Sequence, residues 1–307
     1  DLRKGRCEVT KHGTIMESRG DCIFQTVVYA VLTLVTLITL YPLLFTVSAS
    51  VSDPYMVATG QIYLFPSGLT LDAYRNILKE SQVWIGYKNT ILYTFFGTLL
   101  HLVCTIPCAY ALSKNDLPGR KMFNIYFMFT MYFSGGMIPG YLLVKSLGLI
   151  DTPFILILLG AVSVYNVIVA RSFFAASIPE ALYESCRIDG GSESRAFFSI
   201  ALPLAKPIIA VIALYAAVGH WNGYLNALIY TSKPSLQPLQ LVLRNVLILN
   251  QSFSVADATD AEELAYLARR AYIVQTMKYA LVFVASAPVL CAYPFVQKYF
   301  VKGVMIG

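Results

Sequence analysis

The chain has 307 residues, 57% hydrophobic and 13% charged, with mean hydropathy +0.63 and a formal net charge of +6. A water-soluble domain carries roughly a quarter charged residues, so this composition excludes a soluble globular fold and makes lipid part of the solvent. The positive excess marks cytoplasmic loops rather than a nucleic-acid surface, and six cysteines without C-x-x-C spacing give neither a disulfide framework nor a zinc site.

In chain order, residues 1–22 form a basic N-terminal segment with Arg3, Lys4, Arg6, Lys11 and Arg19. Six apolar runs follow that are long enough for roughly 30 Å of hydrocarbon at 1.5 Å per residue. They lie near Ile23–Ala49, Thr90–Leu112, Phe123–Leu143, Phe154–Phe174, Leu204–Ile229 and Tyr279–Phe300, and none contains Asp or Glu. The expected fold is therefore all-α and membrane-embedded, one six-span domain over residues 23–307. Arg19 before the first run and Ser48-Ala49-Ser50 after it also suit a signal peptide, but the run exceeds a signal core in length and is assigned as a span. Pro107 and Pro139 are expected to kink their spans, and Ser134-Gly135-Gly136 to allow close approach or a hinge.

An even number of spans puts both termini on one side. Fourteen of the 23 Lys and Arg residues fall on that side and nine on the other, so the positive-inside rule places both termini in the cytoplasm. Two long outer loops result, residues 50–88 and 231–278. The second contains Leu239–Leu249, apolar on most faces, which reads as a helix lying at the membrane interface. Asp260–Arg270 resumes helical patterning toward the sixth span.

The cytoplasmic loop 171–203 has more internal structure than a connector needs. Ile178-Pro179-Glu180 is a helix start, with Pro at the first position and an acid in the first turn. Asp189-Gly190-Gly191 ends that helix, because glycine accepts the positive φ of a C-terminal cap. A second short helix over about Glu193–Ile200 is expected to close at Leu202-Pro203. Two short helices around a glycine turn make a charged knob suited to a partner's cleft.

The spacing in this loop resembles the cytoplasmic signature of binding-protein-dependent importer permeases: Glu-Ala-Ala, three residues, Gly, nine residues, Ile, one residue, Leu-Pro. Glu184-Ser185-Cys186, Gly190, Ile200 and Leu202-Pro203 stand at that spacing, with the two alanines replaced by small residues. The likeness runs from about Ser18 to Gly307. It is similar to the maltose-type sugar permeases, and within them to the branch serving complex oligosaccharides such as alginate and pectin fragments. Leu44–Pro54, Phe133–Pro139, Gly219–Ala227 and Tyr299–Gly307 carry that narrower likeness.

The resemblance implies the type I importer permease fold, in a bacterial inner membrane, with the loop supplying a coupling helix to an ATPase groove. Glu184 would pair with a basic residue there, Gly190 would allow the turn, and Arg187 and Asp189 would fix the loop's shape or contacts. It also implies a second permease in a heterodimeric pathway, two ATPase subunits that bind ATP and Mg, an extracytoplasmic solute-binding protein, and an oligosaccharide substrate. The chain itself would hold no cofactor and no metal and would be no enzyme, consistent with the lack of a G-x-x-x-x-G-K-[ST] loop. The alternative function class is a self-sufficient secondary carrier or channel, which the near absence of charges within the spans disfavours.

For a sugar pathway, the fifth span offers His220, Trp221, Asn222, Tyr224 and Asn226. Aromatic faces and amide donors suit a polyhydroxylated ligand. The competing reading is that Asn222 and Asn226 hydrogen-bond between helices. His101, in the second span, is expected to be a packed or pore-facing polar residue.

Overall fold

The computed structural model describes residues 19–251, 272–273 and 276–291, with no strand among them. Its helices are α1 (Arg19–Ser50), α2 (Pro54–Ala58), α3 (Asp72–Lys79), α4 (Ser81–Ser113), α5 (Arg120–Tyr132), α6 (Met137–Ser146), α7 (Pro153–Leu158) and α8 (Val164–Ser177). Then follow α9 (Glu180–Ile188), α10 (Glu193–Leu204), α11 (Lys206–Asn222), α12 (Leu225–Tyr230), α13 (Leu239–Gln251) and α14 (Thr276–Cys291). The expected helix at Asp260–Arg270, the far end of the sixth span and the C-terminal residues Tyr299–Gly307 lie outside the described residues.

Among the described residues two helices, α1 from Ile23 and α4, are each long and apolar enough to cross a membrane, and up to four spans result if each bent pair counts as one. Those pairs are α5 with α6, bent by 109°, and α10 with α11, bent by 78°. α1 leaves Ile23, Phe24, Leu37, Ile38 and Leu43 uncovered, a surface that only lipid or another subunit makes favourable.

α4 is the axis of the packing, touching α3, α5, α7, α8, α11 and α13. Pro107 stands within it, and the helix continues as one element through that point. Its C-terminal half enters a core with α8, α9, α10 and α11 through Ile106, Ala109, Tyr110, Val167, Phe174, Tyr183, Ala196 and Ile212. Its N-terminal part is pinned by polar side chains. Asn89 Nδ2 donates to the carbonyls of Ser235 (2.8 Å) and Gln237 (3.1 Å), and Tyr93 Oη to that of Leu236 (3.0 Å). The Leu239 N–H donates to Thr90 Oγ1 at 2.8 Å, capping the start of α13.

Several expected spans are interrupted. The third is divided at Phe133–Gly136, where four non-helical residues separate α5 from α6. The fourth is divided at residues 159–163 between α7 and α8, and the fifth at Gly223-Tyr224. α13 also departs from the interfacial reading: Leu239, Leu241, Val242 and Leu243 are buried, packed against α4, α7, α12 and α14. A helix apolar on most faces reflects burial on several sides at least as well as immersion in an interface.

Outside the expected spans, Asp151 takes a left-handed backbone conformation (φ 58°), and its carboxylate accepts from the Ser232 and Lys233 N–H groups. Asp tolerates that conformation better than bulkier residues. The contact ties the α6–α7 connection to the segment that follows α12.

Candidate functional site

The knob at residues 171–203 is built by local rules. Pro179 precedes α9 and Glu180 opens it, one position later than the sequence pattern predicts. Gly190 has φ +73°; the Gly191 N–H donates to the Cys186 carbonyl (2.8 Å) and the Gly190 N–H to that of Arg187 (3.0 Å). These two bonds form a Schellman cap, which satisfies carbonyls that the helix end would otherwise leave open. A Cβ at Gly191 would stand 2.5 Å from Cys186 Sγ and 2.8 Å from its carbonyl oxygen, so the turn requires both glycines for different reasons. Ser192 Oγ then accepts from the Arg195 N–H and starts α10.

The second helix does not stop at Leu202-Pro203. It passes through a π turn at Phe197–Ala201 and ends at Leu204. Pro203 has no N–H to donate, and the widened turn lies just where its ring would crowd a regular helix. Ile200 and Leu202 pack on the buried core that α4 shares with α8–α11, which seats the knob on the helical body. Glu184, Ser185, Arg187, Asp189 and Gly190 face outward, and Cys186 is half-buried. No ion pair to Glu184 or Asp189 occurs among the described residues. Ile188, at the tip, is 86% exposed, an apolar side chain that the signature spacing gives no reason to single out.

Behind the tip lies a charge cluster. Arg187 Nη2 donates to Asp116 Oδ2 (2.6 Å) and to Glu193 Oε1 (2.7 Å), and its Nε donates to the same Glu193 oxygen (3.0 Å). Lys114 Nζ stands 3.9 Å from Glu193 Oε2, 3.1 Å from the centroid of the Tyr183 ring and 4.8 Å from that of Tyr110. Tyr110 Oη donates to Glu193 Oε2 at 3.3 Å. Hydrogen bonds from Arg187 hold the Asp116 and Glu193 carboxyls below their usual range, and Glu193 first, then Asp116, raises the guanidinium. Burial pushes the Lys114 ammonium down, opposed by Glu193. Lys114, Asp116 and Glu193 are absent from the signature; Pro118-Gly119-Arg120 just beyond them marks only a turn.

Within the bundle, a cavity of about 500 Å³ opens among α4, α7, α8, α11 and α12, with Tyr93, His101, Gly160, Asn166, Tyr215, His220 and Asn226 among its lining residues. No Asp, Glu, Lys or Arg is among the described residues that line it. The backbone breaks at Gly160 and Gly223 face it, consistent with irregular backbone at membrane depth being tolerated where it lines a cavity. His101 Nε2 accepts from Asn166 Nδ2 (2.9 Å) and Nδ1 lies 2.8 Å from the Gly160 carbonyl. A carbonyl only accepts, so the ring carries its proton on Nδ1. The His220 ring sits where side chains at Gly97 and Gly160 would be; a Cβ at either would overlap it.

Of the five fifth-span residues, His220 and Asn226 reach this cavity. Trp221 is buried with its indole N–H donating to the Ala285 carbonyl (3.0 Å), in the core with α13 and α14. Asn222 and Tyr224 are exposed and are not among the lining residues. Tyr93, His101, Tyr165 and Asn166 join the two from segments far apart in sequence, and Tyr215 from the same helix as His220.

Residues 83–305 match the family model described as "Binding-protein-dependent transport system inner membrane component". The chain is 40% identical over 270 residues to Protein LplC of Bacillus subtilis (strain 168), covering 88% of this chain and 89% of that one. It is 37% identical to the polygalacturonan/rhamnogalacturonan transport system permease protein YtcP of the same organism, covering 93% and 97%. In three dimensions it is similar to a chain in the crystal structure of a bacterial ABC transporter involved in the import of the acidic polysaccharide alginate. That likeness has a TM-score of 0.80 and 35% identity, over 94% of this chain and 100% of the other.

Proposed function

The chain belongs to the family of binding-protein-dependent transport system inner membrane components, and from that premise we propose that it forms one half of the pathway of an ATP-driven oligosaccharide importer. It is an all-helical, multi-pass permease of the type I fold, similar to sugar ABC permeases. The finer reading has six spans, both termini in the cytoplasm, and a heterodimeric pathway with a second permease. Two ATPase subunits bind ATP and Mg below, and a solute-binding protein docks above on loops 50–88 and 231–278.

One observation carries the coupling role: the glycine-capped knob turns outward Glu184 and Asp189, without an ion pair among the described residues, and a bare Ile188. An exposed apolar tip among charges, on a rigid turn, is an anchor awaiting a pocket. Closure of the ATPases on ATP would drive this knob and rock the helices around the cavity. The chain does no chemistry in this scheme.

The substrate reading is a complex or uronic-acid-containing oligosaccharide. The names of YtcP and of the alginate importer support it, and so does a cavity of tyrosines, histidines and amides. Tyrosine faces and amide donors are the groups that stack on and hydrogen-bond to sugar rings. His220 and Asn226 are assigned to the pathway directly, and Trp221, Asn222 and Tyr224 to the segment that positions them.

Mass spectrometry of proteins recovered with the tagged chain from its gently solubilised native membrane tests this. A second permease and an ATPase in stoichiometric amounts are the expected result. Recovery of the chain alone from a preparation that still transports would replace the importer reading with a self-sufficient carrier.

A further inference from the structure

The chain connects the coupling helix α9 to the cavity by two covalent routes, back to α8 across Ile178-Pro179 and forward through α10 to α11, and the second is compliant. From α9 the chain reaches α11 only through the π turn at Phe197–Ala201 and the 78° bend at Ala205. A third route is non-covalent. Lys114 and Asp116 lie at the cytoplasmic end of α4, and each grips the coupling knob: Lys114 through the Tyr183 ring and Glu193, Asp116 through Arg187. The same helix carries Tyr93 and His101 on the cavity wall and Gly97 under the His220 ring. At 1.5 Å per residue, Tyr93 and Lys114 stand roughly 30 Å apart along one continuous helix.

The contact is more than surface charge. The Lys114 side chain is 13% exposed, and an ammonium desolvated over an aromatic face gains more than one in water. Tyr183 is buried and packs edge-on to Tyr110 of α4, so the cation bridges two rings from the two elements it joins. By contrast, Asp116 and Arg187 are about half exposed, and their pair adds direction more than strength.

We propose that Lys114, seated on Tyr183 and braced by the Asp116–Arg187–Glu193 cluster, is a positioning residue that fastens the coupling helix to α4. Movement of the knob thereby reaches the cavity through α4. The inference rests on the coupling reading above.

The test uses the importer purified with its partner subunits, carrying Gly219→Cys as a cavity reporter; Gly219 lines the cavity and has open space beside it. Maleimide labelling above that of the chain without the reporter is read with and without ATP and vanadate. In Lys114→Ala, the reporter change per ATP hydrolysed should fall by about fivefold, the scale of a lost cation–π contact. Lys114→Arg should restore it, Tyr183→Leu should match Lys114→Ala, and the double variant should lose no more. If Lys114→Ala fails to assemble, Asp116→Lys decides, since that side chain is exposed and its reversal repels Arg187. A full reporter change in the Lys114 or Asp116 variant that assembles would overturn the clamp alone. No nucleotide response in the parent importer would remove the transport reading and this inference with it.

Discussion

The imidazole of His220 occupies the space that a side chain at Gly97 would fill. α4 and α11 therefore meet with an aromatic ring seated on bare backbone, and Gly160 bounds the same ring from the α7–α8 connection. Gly97→Ala should lower stability by about 1–3 kcal/mol, the usual cost of overfilling a packed site, read as a lower melting temperature in detergent. Replacing His220 by Ala in the Gly97→Ala background should recover most of the loss. An unchanged melting temperature in Gly97→Ala would show that the two helices do not meet in this way.

At the turn between α9 and α10, Gly190→Val forces a β-branched residue to φ +73°, at a cost of about 1–2 kcal/mol or more. Membrane insertion should be normal while transport per ATP falls severalfold. Gly191→Ala should have a related effect for a different cause, contact with Cys186. Adding Cys186→Ala should relieve only the sulfur part, because the Cys186 carbonyl is also in the way. Wild-type transport in Gly190→Val would remove the turn from the mechanism.

The knob was legible in the sequence because its signals are local: Pro179 and Gly190 stand within a residue of where the helices change. The cavity was not. His101 and Asn166 meet across 65 positions, and Gly97 matters only because His220 lies over it. Hydropathy gave the apolar runs but not their breaks at residues 133–136 and 159–163, since a run of apolar residues reads alike whether helical or turned. Trp221 and Asn226 shared one polar-aromatic motif. Five residues apart, across the break at Gly223-Tyr224, they serve a packed core and a cavity respectively.

Ile188 offers the simplest interface test. An apolar tip that fills a partner pocket loses most of its contribution when charged. Ile188→Asp should leave the chain inserted and folded, as its exposure implies, yet reduce ATPase recovered with it by about tenfold, with Ile188→Leu near normal. Full recovery with the Asp variant would place the ATPase contact elsewhere on the knob.

The charge cluster behind the tip makes opposite predictions for pH and salt. Arg187 holds the Asp116 and Glu193 carboxyls below their ordinary values. A depressed carboxyl stabilises above its unfolded value, near 4, and that contribution is lost as pH falls through the lower folded value. Between about pH 5 and pH 8 both carboxyls stay ionised, so transport per ATP should be flat across that window. Salt should act differently, because Asp116, Arg187 and Glu193 are each about half exposed and open to screening. Raising salt from about 0.05 M to about 0.5 M should weaken coupling modestly in the wild type and less in Asp116→Asn. Lys114 over Tyr183, being largely buried, should account for the part that salt does not reach. A coupling midpoint between pH 6 and 7 would show that groups other than these two carboxyls set the pH dependence.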